Sequence, residues 1–330
     1  MAYGVARALL FLLPPERAHA LTLSAVRTLG RISSPRSGAS IATMGLAFVN
    51  RVGLAAGFDK NGTALDGWFA LGFGHVEVGT VTPRPQPGAP LPRVFRLPAC
   101  HALINRMGFP NEGAERIAAR LGSRQRAGIV GVNIGKNAAT PLDRAVDDYL
   151  FCLRVLYPVA DYVAVNVSSP NTAGLRSLQD AEQLGPLLSA LAEESRVLEK
   201  RSSRRVPLLL KLSPDLADEE LRRAGAIAAA TPIAGVIATN STLSREGVPA
   251  EPPANEAGGL SGRPLLSKSL GTVRTLRATV GPAMPIFGVG GVASVADARL
   301  MRAAGADLVQ IYTGLVYRGP RLVRELANAL

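Results

Sequence analysis

Residues Pro207–Ser241 read PLLLKLSPDLADEELRRAGAIAAATPIAGVIATNS and contain one complete strand–helix–strand unit. The apolar run Pro207–Leu212 predicts a buried strand, the charged and alanine-rich stretch Asp218–Ala230 predicts a helix, and the run Gly235–Thr239 predicts a second strand. A strand followed by a helix and another strand is typical of a parallel pair joined by a helical crossover.

The same unit recurs along most of the chain. The eight predicted strands are Val52–Ala56, Val76–Thr80, Ile129–Ile134, Tyr162–Val167, Pro207–Leu212, Gly235–Thr239, Pro285–Val289 and Asp307–Tyr312. The predicted helices are Ala64–Leu71, Glu112–Leu121, Leu142–Leu156, Leu178–Leu198, Asp218–Ala230, Leu265–Thr279, Val295–Ala304 and Arg321–Ala329. Eight such units in about 280 residues are typical of an α/β fold of the (β/α)8 TIM barrel type. An open doubly wound sheet is the alternative, but the GxGxxG turn that usually follows its first strand is missing.

Polar side chains and glycines follow the predicted strands at their carboxyl ends, which a barrel brings together around one mouth. They are Asp59, Lys60, Asn61, Thr80, Asn133, Asn166, Ser168, Ser169, Lys211, Thr239, Asn240, Ser241, Gly290, Gly291, Tyr312, Thr313 and Gly314. A single asparagine at a strand end is often a turn former. The repetition of amides, hydroxyls and two lysines around the ring instead predicts one polar pocket, placed where barrel enzymes carry out their chemistry.

Two glycine-rich turns predict an anion site on this face. Gly288–Gly291 ends the seventh predicted strand and Tyr312–Gly314 ends the eighth, and the loops after these two strands often bind phosphate in barrels. We therefore expect a phosphorylated ligand. The stretch Gly258–Gly262 is either part of the same cradle or a flexible lid, and the proline-rich stretch Thr82–Pro92 is a long loop or lid.

Two lysines and a serine pair are the candidates for chemistry. Lys60 and Lys211 follow apolar runs, so each could fix a carboxylate, stabilise a developing anion or form a Schiff base. The segment Asn166–Thr172 (NVSSPNT) places two serines before a proline that restricts the loop. A serine is a useful base only where its proton can leave and the developing anion is stabilised; otherwise Ser168 and Ser169 are turn residues.

The composition limits the classes of protein. Apolar residues form 47% and charged residues 19% of the 330 residues, so a large core is available and disorder is not expected. The two cysteines, Cys100 and Cys152, form no CxxC pair, which excludes a disulfide-built scaffold and a cysteine zinc site. The histidines are scattered, so we expect no metal site. A formal net charge of +12 predicts an anionic partner: nucleic acid, a phosphate-bearing ligand or an acidic membrane surface.

We predict that residues 1–40 form a helical pair ahead of a catalytic barrel of residues 41–330. The apolar run Ala8–Leu13 is far too short to span a membrane, and a second helix is predicted from Glu16 to Gly30. The residues expected on one side of this helix are Ala18, Leu21, Ala25 and Val26. Five arginines against one glutamate fit attachment to an anionic membrane, and a pair packed on the barrel fits equally well.

Several longer motifs identify a family. They are Leu54–Lys60 (LAAGFDK), Gly79–Gly88 (GTVTPRPQPG), Asn105–Phe109 (NRMGF), Val132–Asn137 (VNIGKN), Asn166–Asn171 (NVSSPN), Thr239–Ser241, Gly258–Leu265 (GGLSGRPL), Gly288–Gly291 and Gln310–Tyr312. With this highly specific set the chain resembles, over essentially its whole length, the class 2, membrane-associated, quinone-dependent dihydroorotate dehydrogenases. Residues 15–22 (PERAHALT) also resemble the helical pair of that class, which favours membrane attachment.

The resemblance implies an FMN cofactor across the barrel mouth and dihydroorotate beside it. The residues implied at FMN are Ala56, Gly57, Phe58, Asp59, Lys60, Thr80, Asn133, Asn166, Lys211 and Thr239, with Gly262, Gly291, Tyr312 and Thr313 at its phosphate. The residues implied at the substrate are Lys60, Asn105, Arg106, Met107, Gly108, Phe109, Asn166, Asn171, Asn240 and Ser241. Side-chain amides can donate to and accept from an imide ring, and a lysine can balance its carboxylate.

The resemblance also implies a reaction in the synthesis of pyrimidine nucleotides. Ser169 removes the C5 proton of dihydroorotate while hydride leaves C6 for flavin N5, and Lys211 favours the reduced flavin. A quinone then accepts the electrons between the amino-terminal helices, near His19 and Arg96. The soluble class uses a cysteine as the base, and the NVSSPN motif contains none. The resemblance therefore implies a peripheral protein on the cytoplasmic side of the cell membrane, without a nucleic-acid partner.

Two other functions stay open at this point. A phosphate-binding lyase would use Lys60 or Lys211 as a Schiff base, which borohydride trapping with substrate would detect. A non-catalytic basic module would bind nucleic acid or membrane, but it predicts arginines on one face, whereas charges of both signs are interspersed beyond residue 40. Neither function explains the repeated strand-end amides.

Overall fold

The parallel strands close into a barrel. The computed structural model describes residues 2–32, 41–124, 128–250 and 252–330. Eight strands form the closed barrel, which confirms the (β/α)8 prediction. We number them β1 to β8: Val52–Leu54, His75–Val81, Ile129–Ile134, Tyr162–Asn166, Leu208–Leu212, Gly235–Ala238, Ile286–Val289 and Leu308–Ile311. Each strand pairs in parallel with its neighbour in sequence, and β8 pairs with β1 to close the ring.

Helices surround the barrel. They are α1 (Ala2–Phe11), α2 (Pro15–Ile32), α3 (Leu65–Leu71), α4 (Ala114–Gly122), α5 (Ala145–Leu156), α6 (Ala181–Ser202), α7 (Asp218–Ala230), α8 (Leu266–Val280), α9 (Val295–Ala303), α10 (Thr313–Arg318) and α11 (Pro320–Ala329). Short 3-10 turns lie at Pro98–Cys100, Leu142–Arg144, Leu175–Gln179 and Arg263–Leu265. The predicted strands and helices agree with these bounds to within a few residues, because their apolar periodicity marks the buried face. The short helix α10, directly after β8, was not among the predicted helices.

Aromatic rings fill the amino-terminal end of the barrel interior. Phe48, His75, Tyr162 and Phe287 pack edge to face, with ring centroids 5.3 to 6.4 Å apart. A glycine makes room for one of them, since a Cβ on Gly131 would lie 2.0 Å from the Tyr162 ring. This end of the barrel is a packed core, so a ligand must enter from the carboxyl end of the strands.

Two small antiparallel sheets complete the fold. A hairpin of Ile41–Thr43 and Leu46–Phe48 precedes the barrel and contributes Phe48 to its core. Val94–Leu97, Ala102–Asn105 and Gly259–Gly262 form a second sheet, which we call the upper sheet. Of the two alternatives for Gly258–Gly262, the flexible lid is therefore wrong, because most of the stretch pairs with a neighbouring strand. The proline-rich stretch is a loop, as predicted.

The helical pair α1–α2 packs against the barrel and its helices. A Cβ on Gly67 of α3 would lie 1.9 Å from the Val26 carbonyl of α2, so the two helices touch through their backbones. Ala18 and Val26 are buried, but Leu21 and Ala25 face outward, because the buried residues follow a spacing of four from Ala18. The prediction that Leu21 and Ala25 lie on the same side of the helix as Ala18 and Val26 is wrong. The predicted boundary at residue 40 falls in residues 33–40, outside the described residues.

No helix among the described residues combines the length and the apolar character that crossing a bilayer requires.

Candidate active site

A cavity lies at the carboxyl ends of the strands, where the sequence analysis places the polar pocket. The predicted site residues that line it are Ala56, Gly57, Lys60, Thr80, Asn105, Met107, Gly108, Phe109, Asn166, Ser169, Asn171, Lys211, Thr239, Asn240, Ser241, Gly262, Gly291, Tyr312 and Thr313. All the barrel strands except β3 contribute residues from their ends. The remaining residues come from the upper sheet and its flanking loops. Closing the sheet into a barrel is what brings these distant segments together.

Three predicted cofactor residues, Phe58, Asp59 and Asn133, lie outside this lining. The Asp59 carboxylate accepts hydrogen bonds from the backbone amide of Ala64 at 2.8 Å and from the Trp68 indole at 3.2 Å, so it caps the start of α3. The Phe58 ring packs between Trp68 and Tyr312, with centroids 5.2 and 5.0 Å away. The side chains of Phe58 and Asp59 therefore support the strand end rather than face the cavity.

Arg106, a predicted substrate residue, also points elsewhere. Its guanidinium forms an ion pair with Glu256 at 2.5 Å and lies over the Phe95 ring, 4.6 Å from the centroid. The backbone amide of Arg106 donates to the Arg93 carbonyl at 2.9 Å. We interpret Arg106 as a link between the loop that carries Met107 and the upper sheet.

Asn133 lies one layer below the cavity and takes part in a buried network. Its side-chain oxygen accepts from the Thr80 hydroxyl at 2.5 Å and from the Asn166 amide at 3.1 Å. Its amide nitrogen donates to Glu77 at 2.9 Å. Asn133 therefore holds the side chains of the cavity floor in a fixed arrangement.

Glu77 is the centre of this network, and the sequence analysis missed it. Its fully buried carboxylate accepts from Lys211 at 3.1 Å, from Gln310 at 2.8 Å and from Tyr162 at 3.2 Å, besides Asn133. Burial acts to raise the pKa of Glu77, but Lys211 and these hydrogen bonds lower it overall, so Glu77 stays ionised. Lys211 is thereby paired with a buried carboxylate, which disfavours it as a Schiff-base nucleophile.

A signal for Glu77 was present in the sequence. After His75, strand β2 reads VEVGTV, and Glu77 is the one charged residue in this mostly apolar run. A charge inside a barrel strand must find a partner, since an isolated buried charge is costly. Lys211, the charged residue of the otherwise apolar strand β5, was the available partner for the Glu77 carboxylate.

The two adjacent serines have different environments. The Ser168 hydroxyl donates to Asn166 at 3.0 Å and accepts from Asn240 at 3.0 Å, and it does not line the cavity. Ser169 lines the cavity, and its hydroxyl oxygen accepts from the Asn171 backbone amide at 3.2 Å. The geometry thus presents Ser169 to a ligand and assigns Ser168 to the packing of the loop.

Asparagine side chains surround the space in front of Ser169. Asn171 donates to Asn105 at 3.1 Å, and Asn105 donates to the Gly259 carbonyl at 3.3 Å. Asn240 accepts from the Ser241 backbone amide at 2.8 Å. These contacts fix the amides from both sides of the cavity, so the site is preorganised for a ligand that both donates and accepts hydrogen bonds.

Lys60 lies at one edge of the cavity. Its ammonium donates to the Gly57 carbonyl at 2.6 Å and to the Met107 sulfur at 2.9 Å. Burial, with a smaller contribution from Arg93, lowers the pKa of Lys60 to about 8. Because no carboxylate of the described residues forms an ion pair with Lys60, this cation is suited to an anionic ligand.

Other lining residues were not among those implied at FMN or at the substrate. They are Ala55, Ser261, Leu265, Val289, Gly290, Val292, Gln310, Ile311 and Gly314. Gly290 and Gly291 have φ values of 118° and 82°, which favour glycine, so the turn after β7 depends on them. Ser261 of the upper sheet lies 2.8 Å from the Thr313 hydroxyl across this end of the cavity.

A second, larger cavity of about 410 Å³ adjoins the first. It lies between α1, α2 and the barrel, and Lys60, Met107 and Tyr312 line both cavities. His19 and Arg96, the predicted quinone-site residues, both line this cavity.

Each of these two residues has an identifiable environment in the second cavity. Burial, and then Lys60, lowers the pKa of His19 to about 4, so its ring is neutral at physiological pH. The Arg96 guanidinium donates to the carbonyls of Leu10, Phe11 and Leu13 at 3.3, 3.2 and 2.8 Å. A cation at the end of a helix is favourable, so Arg96 fixes the end of α1 as well as lining the cavity.

The chain is similar to known proteins over nearly its whole length. A family described as Dihydroorotate dehydrogenase matches residues 39–330. The relatives named Dihydroorotate dehydrogenase (quinone) from Burkholderia pseudomallei strain 668 and Burkholderia mallei strain SAVP1 are each 53% identical over 334 residues. These matches cover 99% of this chain and 98% and 97% of the two relatives.

Solved structures agree with this assignment. Crystal structures of DHODH from Eimeria tenella, one in complex with ferulenol and one of the ligand-free type, superpose with a TM-score of 0.88 at 38% identity. They cover 96% of this chain and 90% and 93% of those chains. With a matching family over the whole barrel, relatives above half identity and the same fold, the chain belongs to the dihydroorotate dehydrogenase family.

Proposed function

We propose that this protein oxidises dihydroorotate to orotate in pyrimidine synthesis and passes the electrons to a quinone. One observation carries the proposal: a polar cavity with Ser169, Lys60 and a set of asparagines adjoins an apolar cavity, and the two share a wall. The polar cavity suits an imide with a carboxylate. The apolar cavity suits a hydrophobic electron acceptor. The names of the curated relatives state the same activity of those proteins.

The residues of the polar cavity fit FMN. The buried floor supplies Thr80, Asn166 and the Lys211 ammonium, a set of donors and acceptors suited to the pyrimidine edge of a flavin. At the other end lie glycine-rich turns after β7 and β8, which suit a phosphate. The residues that would hold the phosphate are Gly262, Gly291, Tyr312 and Thr313. FMN, when bound, supplies a two-electron acceptor for the hydride that the substrate loses.

Lys60 and the asparagines would bind the substrate. Lys60 is the cation for the carboxylate, because it lines the cavity and its pKa of about 8 leaves it protonated at neutral pH. Asn105, Asn171 and Asn240 line the same cavity and would bind the imide ring. Their hydrogen bonds to each other and to the backbone of Gly259 and Ser241 orient them before the substrate arrives.

Ser169 would be the base that takes the C5 proton, and its own hydroxyl proton would leave for solvent along a path bordered by Thr172 and Phe109. Its hydroxyl faces the cavity, and the Asn171 amide that donates to it would stabilise the negative charge that develops on its oxygen. The hydroxyl of the neighbouring Ser168 is already hydrogen-bonded to Asn166 and Asn240, so Ser168 cannot act as this base. Lys211, which donates to the Glu77 carboxylate, would stabilise the negative charge that arrives at the cavity floor.

The second cavity would admit the quinone. His19 and Arg96 line it, and the rings of Phe58 and Tyr312 lie between His19 and the polar cavity. The His19 ring is 5.2 Å from the Phe58 ring, and the Phe58 ring is 5.0 Å from the Tyr312 ring. An acceptor in this cavity would therefore stand within a few side chains of the flavin site.

The helical pair of residues 1–40 would attach the protein to the cytoplasmic side of the cell membrane. Val5, Leu9 and Leu12 of α1 and its following turn are 64%, 62% and 81% exposed, and their spacing places them on one side of the helix. Such an outward apolar stripe with nearby arginines suits a peripheral contact with an anionic bilayer. In this division, residues 41–330 form the catalytic domain.

The formation of orotate tests the activity directly. Purified protein with dihydroorotate and a soluble quinone should produce orotate and consume the quinone in equal amounts. The cofactor released by acid should be FMN rather than FAD, because the glycine-rich turns that would hold the phosphate lie at the end of the cavity. Quinone consumption without orotate would contradict the proposed substrate.

A further inference from the structure

One arginine outside the cavity binds the loops that follow three successive strands. Arg176 lies in the turn Leu175–Gln179, and its Nε donates to the Ser168 carbonyl after β4 at 3.2 Å. Its Nη1 donates to the Asp215 carboxylate after β5 at 2.9 Å, and its Nη2 donates to the Ser241 carbonyl after β6 at 3.1 Å. A single planar guanidinium thus fixes the spacing of these loops.

Asp215 completes the connection from the other side. Its carboxylate accepts from the backbone amide of Leu243 at 2.8 Å and from the Lys268 ammonium at 2.9 Å. The hydroxyl of Thr242 donates to the same carboxylate. The loop after β6 is therefore bound through its backbone and side chains to the Arg176–Asp215 ion pair.

The two loops joined in this way carry opposite sides of the active site. The Ser168 carbonyl belongs to the peptide bond that leads into Ser169, and Ser241 lines the cavity next to Asn240. Neither Arg176 nor Asp215 lines the cavity. Their effect on the reaction must therefore act through the positions of the loops.

We propose that Arg176, held by Asp215, is a positioning residue that sets the placement of Ser169 relative to Asn240 and Ser241. The proposal rests on the proposed function for the role of Ser169 as the base. A base must lie within hydrogen-bond reach of the proton it removes, and a misplacement of about 1 Å can cost about a hundredfold in rate. No other side chain supplies three donors in one fixed plane, so lysine replaces arginine poorly here.

The test compares Arg176→Met with a matched control, Arg277→Met. Arg277 likewise binds backbone carbonyls (Gly305, Gly281 and Met284) and a carboxylate, Asp307 at 2.6 Å, but at the amino-terminal end of β7 and β8. The exposed fractions of the two arginine side chains are 22% and 21%. Each variant loses a partly buried ion pair, but only the ion pair of Arg176 lies behind the active-site loops.

The holoenzyme is mixed anaerobically with dihydroorotate, and then separately with a soluble quinone. Arg176→Met should slow flavin reduction about 30- to 100-fold and leave reoxidation by quinone within about twofold. Arg176→Lys should recover part of the loss, and Arg277→Met should change neither step by more than about twofold. Flavin reduction by Arg176→Met at the wild-type rate would overturn the proposal, as would an equal slowing of both steps.

Two further measurements separate this proposal from the function on which it rests. In a Ser169→Ala background, Arg176→Met should slow flavin reduction little further, because both changes act on one base; a fully multiplicative loss would contradict positioning. Hydrogen exchange needs no substrate, and it should rise in the segments 168–175 and 241–246 of the FMN-loaded variant. Unchanged exchange there would overturn the proposal even if dihydroorotate proved not to be the substrate. If Arg176→Met loses its flavin, Asp215→Asn carries the same tests, with about tenfold slowing expected.

Discussion

Adjacent residues of the same type play different parts in the active-site loop. Ser168 is fully buried and bonded through its hydroxyl to Asn166 and Asn240, whereas Ser169 presents its hydroxyl to the cavity. The strand alternation that ends at Asn166 and the restriction by Pro170 determine which serine faces inward. The proposed chemistry therefore depends on the direction of one side chain.

Ser169→Ala tests the assignment of the base. The variant should keep its FMN, since the implied flavin-contacting side chains are unchanged, and its flavin reduction by dihydroorotate should be slower by about 10² to 10⁴. Anaerobic stopped-flow absorbance measures this step. Reoxidation by quinone in the same variant serves as the control and should be unaffected. Near-normal reduction would remove Ser169 from this role.

The pKa of Lys60 predicts how the binding of dihydroorotate depends on pH. Its pKa of about 8, lowered by burial, means that it is charged below pH 8 and loses its charge as the pH rises through 8. Because only the charged form pairs with a carboxylate, kcat/KM for dihydroorotate should fall above pH 8, approaching tenfold per pH unit.

The control for this profile is Lys60→Met. It should bind dihydroorotate weakly at all pH values and should lack the decline around pH 8, because the titrating group is gone. A profile for the variant that still falls through the same pH range would assign the titration to another group.

The docking of α2 on α3 depends on close-packed glycines, Gly30 of α2 and Gly67 of α3. Gly67 lets the backbone of α3 approach α2, so a methyl group there would meet the Val26 carbonyl at 1.9 Å. Val26 lines the second cavity, which makes this helix contact part of the wall of the proposed quinone site. The contact therefore connects helix packing to electron transfer.

Gly67→Ala should reduce the free energy of unfolding by about 1–3 kcal/mol, because the helices must separate. It should also raise KM for the quinone while leaving flavin reduction by dihydroorotate within about twofold. Thermal unfolding and the two half-reactions measure these effects.

Gly271→Ala is the matched control for this helix substitution. Gly271 lies in α8, and no atom lies within 4 Å of a Cβ built there, so alanine should be neutral or stabilise the helix by up to about 1 kcal/mol. Equal behaviour of the two variants would contradict the role of the close helix contact.

The elements differ in how well the sequence predicts them. The strands and the barrel helices follow from their own periodicity, which is why α7 begins and ends at the predicted residues. The upper sheet could not be predicted, because Gly259–Gly262 pairs with Ala102–Asn105 from a distant part of the chain. The same reason applies to Glu77, whose partners come from four other strands.

At the scale of the whole molecule, positive charge and exposed apolar residues occur together on the amino-terminal helices. Leu9 and Leu12 are exposed on α1 and the turn after it, and Arg17 on α2 is also exposed. In the proposed membrane contact, the formal net charge of +12 would attract the molecule to an anionic surface, and the apolar side chains would add contact area with the lipid.

Leu9→Glu should abolish cosedimentation with vesicles that contain anionic lipid, since it places a negative charge in the apolar stripe. Leu300→Glu is the control, because Leu300 is also exposed but lies on α9, and it should bind like the wild type. Equal binding of both variants would show that the membrane contact lies elsewhere.

The central claim is that one polar cavity oxidises dihydroorotate and an adjoining cavity passes the electrons to a quinone. An anaerobic visible spectrum of the purified protein tests it most directly, recorded before dihydroorotate, after dihydroorotate, and again after a soluble quinone. We predict a yellow protein that loses its flavin absorbance with dihydroorotate and regains it with quinone. A yellow protein that dihydroorotate does not bleach would contradict the claim.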